Sequence, residues 1–114
     1  MIFDTEVQCA FHSFGASADT VVMVTGPAAL MSVQILSTTG GFNPRVVIYD
    51  SSTTGGATSS TEVTTFFAGF RGTHVSNGLW LKVPGNGIRF NDGIVAKVAT
   101  TDLQFVTLIY QGGV

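Results

Sequence analysis

Two histidines, His12 and His74, and one cysteine, Cys9, are the residues of this 114-residue chain that could ligate a soft metal or serve as base or nucleophile near neutral pH. A zinc centre needs three or four ligands drawn from His, Cys, Asp and Glu. His12 and His74 stand far apart, in no ligand-spaced motif, and could meet Cys9 only through the tertiary fold. They read as surface or interface polar residues, with no metal site. Cys9 lies in the apolar stretch Val7-Gln8-Cys9-Ala10-Phe11 and is expected to be a buried small hydrophobe. Nucleophilic catalysis by serine needs a base and an orienting group. Gly15-Ala16-Ser17-Ala18-Asp19 only partly matches a Gly-x-Ser-x-Gly elbow and reads as a turn. Paired carboxylates would have to come from Asp4, Glu6, Asp19, Asp50, Glu62, Asp92 and Asp102, which form no cluster in sequence. Asp50, Asp92 and Asp102 fall at strand ends, where a carboxylate caps a turn by accepting from backbone N–H groups. Pro84-Gly85-Asn86-Gly87 is followed by the strand-like Ile88-Arg89-Phe90, so it reads as a tight turn and not as a phosphate cradle. No catalytic, cofactor-binding or metal-binding residue is assigned, and the expectation is a protein that is not an enzyme.

The elements behind these residues are strands. The chain holds fourteen Val, six Ile, fifteen Thr, nine Phe, two Tyr and one Trp, against two Glu, two Lys and six Leu. β-branched and aromatic residues favour the pleated, half-buried surface of a sheet. Strand candidates are Glu6–Phe14, Thr20–Thr25, Ala28–Ser37, Arg45–Asp50, Glu62–Phe70, Leu79–Val83, Ile88–Phe90, Ile94–Ala99 and Leu103–Gln111. In Ala28–Ser37, Ala29, Met31, Val33 and Ile35 are expected on one face and Ser32 and Gln34 on the other. Arg45–Asp50 is apolar on both faces and reads as a central strand, and Leu103–Gln111 reads as a core strand. Asn91-Asp92-Gly93 between β-branched runs is the clearest hairpin signal. Ser51–Ser60 is a Ser/Thr/Gly tract expected to be a mobile loop. The spacing of strands and turns predicts an all-β chain: one compact antiparallel β-sandwich over residues 1–114, jelly-roll-like, with about eight short strands. Residues 1–14 are expected to form an arm or edge strand used in subunit contacts.

Charge limits the function. Charged residues make up 11% of the chain, against about 25% in ordinary soluble domains. Five Lys and Arg cannot build a basic stripe, so nucleic acid is excluded as a partner. No apolar run reaches the roughly 18 residues of a spanning helix, and no membrane is expected. The N-terminus has no basic n-region, so no secretory signal is expected. A lone cysteine cannot close an internal disulfide, which fits synthesis in a reducing cytoplasm.

The deficit of charge leaves apolar exterior, and apolar exterior favours association. Phe66 and Phe67 are neighbours, so on a strand they face opposite ways. One enters the core and the other needs a second hydrophobic layer. Trp80 is out of phase with Leu79 and Leu81 and faces outward beside Lys82. Phe66, Phe67, Phe70, Trp80, Phe3 and Phe11 are the candidate protein-interface residues. A sugar-stacking role for Trp80 is the competing reading.

Val46-Val47-Ile48-Tyr49-Asp50-Ser51-Ser52-Thr53-Thr54-Gly55-Gly56, together with Gly87-Ile88-Arg89-Phe90-Asn91-Asp92-Gly93-Ile94-Val95-Ala96-Lys97-Val98 and Val106-Thr107-Leu108-Ile109-Tyr110, resembles small β-rich structural proteins of tailed bacteriophages. In those chains a strand ending in Tyr-Asp precedes a Ser/Thr/Gly loop. A hairpin with Arg-Phe-x-x-Gly then precedes a last strand rich in Val, Thr and Tyr. The resemblance covers roughly residues 28–111. It implies a virion component with a jelly-roll-like fold, most directly a capsid decoration or cement protein. Such a protein sits as a homotrimer on the capsid exterior, against the major capsid protein, after synthesis in the host cytoplasm. It uses no cofactor or small-molecule substrate. A tail, neck or fibre module that binds host carbohydrate or receptor, through Trp80 or Tyr49, is the alternative.

Overall fold

Each of the strand candidates yields a strand among the described residues. The computed structural model describes residues 6–15, 19–37, 45–67, 77–98 and 104–113. Its strands are β1 (Val7–Gly15), β2 (Asp19–Thr25), β3 (Ala28–Ser37), β4 (Arg45–Asp50), β5 (Glu62–Phe67), β6 (Asn77–Lys82), β7 (Ile88–Phe90), β8 (Gly93–Val98) and β9 (Gln104–Gly112), with a 3-10 turn at Thr54–Gly56. Every pairing is antiparallel.

The first sheet runs β1-β9-β3-β6, with β7 also on β3, and the second runs β2-β8-β4-β5. β6 pairs with Ser32–Ser37 and β7 with Ala28–Leu30, so the two lie end to end along one edge of β3. The excursion between them holds Gly85 and Gly87 at φ +69° and +84°, the tight turn read from Pro84-Gly85-Asn86-Gly87. Counting β6 and β7 as one interrupted strand gives eight, in the order of a jelly roll. The strands read as central are central: β4 lies between β8 and β5, and β9 between β1 and β3.

The sheets face each other over one core. Leu30, Val33, Ile35, Val106 and Leu108 of the first sheet meet Val46, Ile48, Ile94, Ala96 and Val98 of the second, all nearly or wholly excluded from solvent. Truncating a buried Leu or Ile to Ala in such a core costs about 2–5 kcal/mol.

Three local expectations need correction. First, Asn91-Asp92-Gly93 is not a hairpin turn. Phe90 pairs with Ala28 in the first sheet, and Gly93 pairs with Thr25 in the second. The turn carries the chain across the sandwich, and Phe90 and Ile94 enter the core from opposite sheets. Asp50 holds it there. Its carboxylate accepts from the backbone N–H of Asn91 at 3.0 Å and of Asp92 at 2.9 Å. The Gly26 N–H donates to the Asp92 carbonyl at 2.9 Å, and the Ser51 N–H to the Gly93 carbonyl at 3.2 Å. A Cβ on Gly93, at φ +155°, would lie 2.6 Å from the Val24 carbonyl oxygen and 2.7 Å from that of Ser51. The strand-end capping read for Asp50 is thus real, but the capped turn is remote in sequence.

Second, the alternation of β3 breaks between Leu30 and Ser32, where its register against β9 shifts. The extra residue of such a bulge inverts the facing of the residues beyond it. Ala28 and Leu30 therefore share the core face with Val33 and Ile35, in place of Ala29 and Met31. Third, Ser51–Ser60, expected as a mobile loop, is closed by local hydrogen bonds. The Ser51 hydroxyl donates to the Thr53 carbonyl at 2.8 Å, and the Thr53 hydroxyl accepts from the Gly56 N–H at 3.1 Å. The Thr61 hydroxyl donates to the Gly56 carbonyl at 2.6 Å and accepts from the Thr58 N–H at 3.0 Å. Ser and Thr hydroxyls close local turns in this way, and here they fold the tract onto itself.

Candidate functional site

The outer face of the first sheet is built by register. Residues directly opposite in adjacent strands point to the same side. Phe11, Thr107, Gln34 and Trp80 form one row across β1, β9, β3 and β6. Ser13, Phe105 and Leu36 form the row on one side of it, and Cys9, Ile109, Ser32 and Lys82 the row on the other. The face is unusually apolar for one that meets solvent. Trp80 is 80% exposed, Phe11 62% and Leu36 42%. The Phe11 and Phe105 rings stack with centroids 6.1 Å apart and planes 15° apart. Phe11, Phe105 and Leu36 wall a shallow groove of about 300 Å³ whose floor is Gln34 and Thr107.

Trp80 is held in place. Its Nε1–H donates to the Ser32 hydroxyl at 3.2 Å, and that hydroxyl donates to the Leu81 carbonyl at 3.1 Å. Ser32 is buried in spite of its outward position. Satisfying Nε1 in this way leaves the apolar faces of the indole as the exposed surface. Covering a large apolar side chain is worth about 1.5–3 kcal/mol, so Trp80 and Phe11 supply a strong incentive for contact.

The other candidates from the sequence divide between core, edge and surface. Phe66 faces inward, 7% exposed, in the core opposite Val46. Its neighbour Phe67 ends β5, paired with Arg45. Phe66 is the one of the pair that enters the core, so it is removed from the interface set. Phe3 and Phe70 lie outside the described residues, as do His74, Ser17, Asp4 and Asp102. Cys9 is exposed, correcting its reading as a buried hydrophobe. The apolar stretch around it is an edge strand whose outward face is also apolar, so apolar neighbours did not mean burial. His12 is half-buried, with its ring edge-on to Phe14 at 4.7 Å between centroids. Sequence reasoning missed Phe105 and Leu36. The signal was available in the parity of the last strand, where Phe105 alternates with Val106 and Leu108.

The outer face of the second sheet differs. Val47, Tyr49 and Val95 lie there and are buried, with Val22 and Ala57 packed against them. Ala57 follows the 3-10 turn, so the Ser/Thr/Gly tract lays part of itself over this sheet. Tyr49 is thereby unavailable to a ligand. Among the described residues no three His, Cys, Asp or Glu side chains gather where they could hold a metal ion. No helix among the described residues is long and apolar enough to cross a membrane.

No family model matches the chain, and no curated protein matches it. Among solved structures it is similar to a protein of the disulfide-linked pili of Bacillus endospore appendages, at 15% identity and TM-score 0.41, over 96% of this chain and 87% of that one. It is similar to a chain of the virus-like particle of the extra small virus of the giant freshwater prawn Macrobrachium rosenbergii, at 10% identity and TM-score 0.40, over 97% and 80%. It is also similar to a chain of the infectious bursal disease virus particle, at 12% identity and TM-score 0.39, over 95% of this chain and 31% of that one.

Proposed function

We propose that the chain is a non-enzymatic structural protein of a virus particle and works by packing its surface against other protein chains. The observation that carries this reading is the outer face of the first sheet. Two large aromatics, Trp80 and Phe11, stand in solvent on this sheet, with Val7, Leu36 and Leu81 of the same sheet also exposed. Trp is among the residues most often found at the energetic centre of interfaces. The jelly-roll strand order supports the reading as well, since that architecture serves repeatedly in capsid proteins.

The finer role is decoration of a bacteriophage capsid: binding the major capsid protein on the shell exterior, as a homotrimer. Such a protein needs no reaction. It binds the assembled shell and not the free subunits, and so stabilises the shell by mass action. At a free concentration one hundred times its Kd, the gain is about 2.7 kcal/mol per site. Co-sedimentation with purified shells tests this role. The chain is expected to pellet with assembled phage heads and to ignore unassembled capsid protein. A chain that stays in the supernatant with heads at saturating concentration defeats the decoration role.

A further inference from the structure

We propose that the outer face of the first sheet packs against the same face of a second copy of this chain, about a two-fold axis that runs along β3. This rests on the reading that the chain works by packing against other chains, and it names the first such partner. Three observations support it. The face carries a projection and a recess of matching character: Trp80, 80% exposed, and the groove of about 300 Å³ walled by Phe11, Leu36 and Phe105. The strand order places the groove over β9 and Trp80 on β6, each one strand from β3 and on opposite sides of it. The row Phe11-Thr107-Gln34-Trp80 sets them level along the strands. A two-fold axis along β3 therefore exchanges projection and recess. Each indole seats in the groove of the other copy, as an isologous interface requires. Packed sheets sit about 10 Å apart, a gap that ring side chains fill.

Charge and area agree. Among the described outward residues of the first sheet there is no carboxylate, and the two cations are Lys82 on β6 and Arg89 on β7, both along one edge of β3. The two copies of Lys82 would lie on opposite sides of the axis. A four-stranded face about 19 Å wide and 27 Å long gives about 500 Å² per copy, or about 1,000 Å² for the pair. That is below the roughly 1,200–2,000 Å² of stable specific interfaces and in the range of transient ones, so the association is expected to be weak and reversible. The contact leaves the sandwich edges free. It doubles whatever order the edges set, giving dimers, or hexamers where a trimer also forms.

The experiment uses the whole chain and its single tryptophan. Sedimentation between about 1 and 200 μM is expected to show even-numbered assemblies, with Trp80 emission moving to the blue as they form. Gln34 sits on the proposed axis, so each copy's Gln34 faces the other's. Gln34→Lys and Gln34→Glu are each expected to weaken self-association at least tenfold, and an equimolar mixture of the two is expected to restore it. Both substitutions are at an exposed position, and unchanged melting temperatures confirm that the fold is intact. Monomers or trimers alone at 200 μM overturn the proposal, as does a mixture that associates no better than its components. Shell binding separates the two ideas. A chain that pellets with heads but forms no even-numbered assembly loses this contact and keeps its role. A chain that dimerises as described but ignores heads keeps the contact and loses the decoration role.

Discussion

Among the described residues, the outer face of the second sheet is covered by the chain itself and that of the first sheet is not. Val47, Tyr49 and Val95 are as apolar as Phe11, Leu36 and Phe105, yet the former are buried, with Val22 beside them in the sheet and Ala57 packed against them, while Phe11 and Leu36 meet solvent. Part of the difference comes from one connection. The link between β4 and β5 holds eleven residues, Ser51 to Thr61, enough to fold back. Its hydroxyls satisfy its own backbone, so it can lie on an apolar sheet without leaving polar groups unpaired. Nothing among the described residues does the same for the first sheet. Two apolar faces on one sandwich thus differ in burial. One is internal core, and the other, uncovered among the described residues, is the face proposed to meet another chain.

Substitutions can break this contrast. The largest effect is expected at the covered face. Val95→Asp would bury an unpaired carboxylate in the second cluster, and should cost more than about 4 kcal/mol and prevent folding. Circular dichroism of the purified chain checks it, and a cooperative native-like melt would show that the tract does not seal this face. A smaller effect is expected at Asp50, which joins the covered end of the second sheet to the crossing turn. Asp50→Ala removes the acceptor for the Asn91 and Asp92 N–H groups and should cost about 1–2 kcal/mol, with Asp50→Asn costing less. Thermal denaturation reads this as a fall of about 4 °C per kcal/mol. The smallest effect is expected on the open face. Trp80→Ala and Phe11→Ser should change stability by no more than about 0.5 kcal/mol, since their side chains are mostly in solvent already. A loss of several kcal/mol at either would mean that this face belongs to the fold and not to an interface.

Much of the architecture is legible in the strand alternation. β4 reads as central because both its faces are apolar, and β9 because of its length and apolarity. The outward facing of Trp80 is read from its phase against Leu79 and Leu81, although Leu81 is itself partly exposed at the sheet edge. What misled were features whose meaning depends on distant residues. Asn91-Asp92-Gly93 has hairpin chemistry, but the Asp50 carboxylate takes the N–H groups that turn presents and sends the strand across to the other sheet. Cys9 and Phe66 both sit in apolar runs. The edge position of β1 puts Cys9 outside, and the pairing of Phe66 with Val46 puts it inside. The bulge at Met31 reverses half of β3, and no single residue there announces it.

Local preference and composition were enough to set the secondary-structure class, the strand positions and the shortage of charge that leaves apolar surface exposed. These act residue by residue, and so they are written in the chain. The choice of which apolar surface is exposed was made elsewhere, in the folded arrangement. A strand with two apolar faces does not say which face meets the core, nor whether the other is roofed by its own chain. That depends on sheet order, on the fold of the Ser51–Thr61 connection, and on the register that brings Phe11, Phe105, Leu36 and Trp80 onto one uncovered face. Burial is a property of where distant segments come to rest, and it is fixed when the two sheets close over each other.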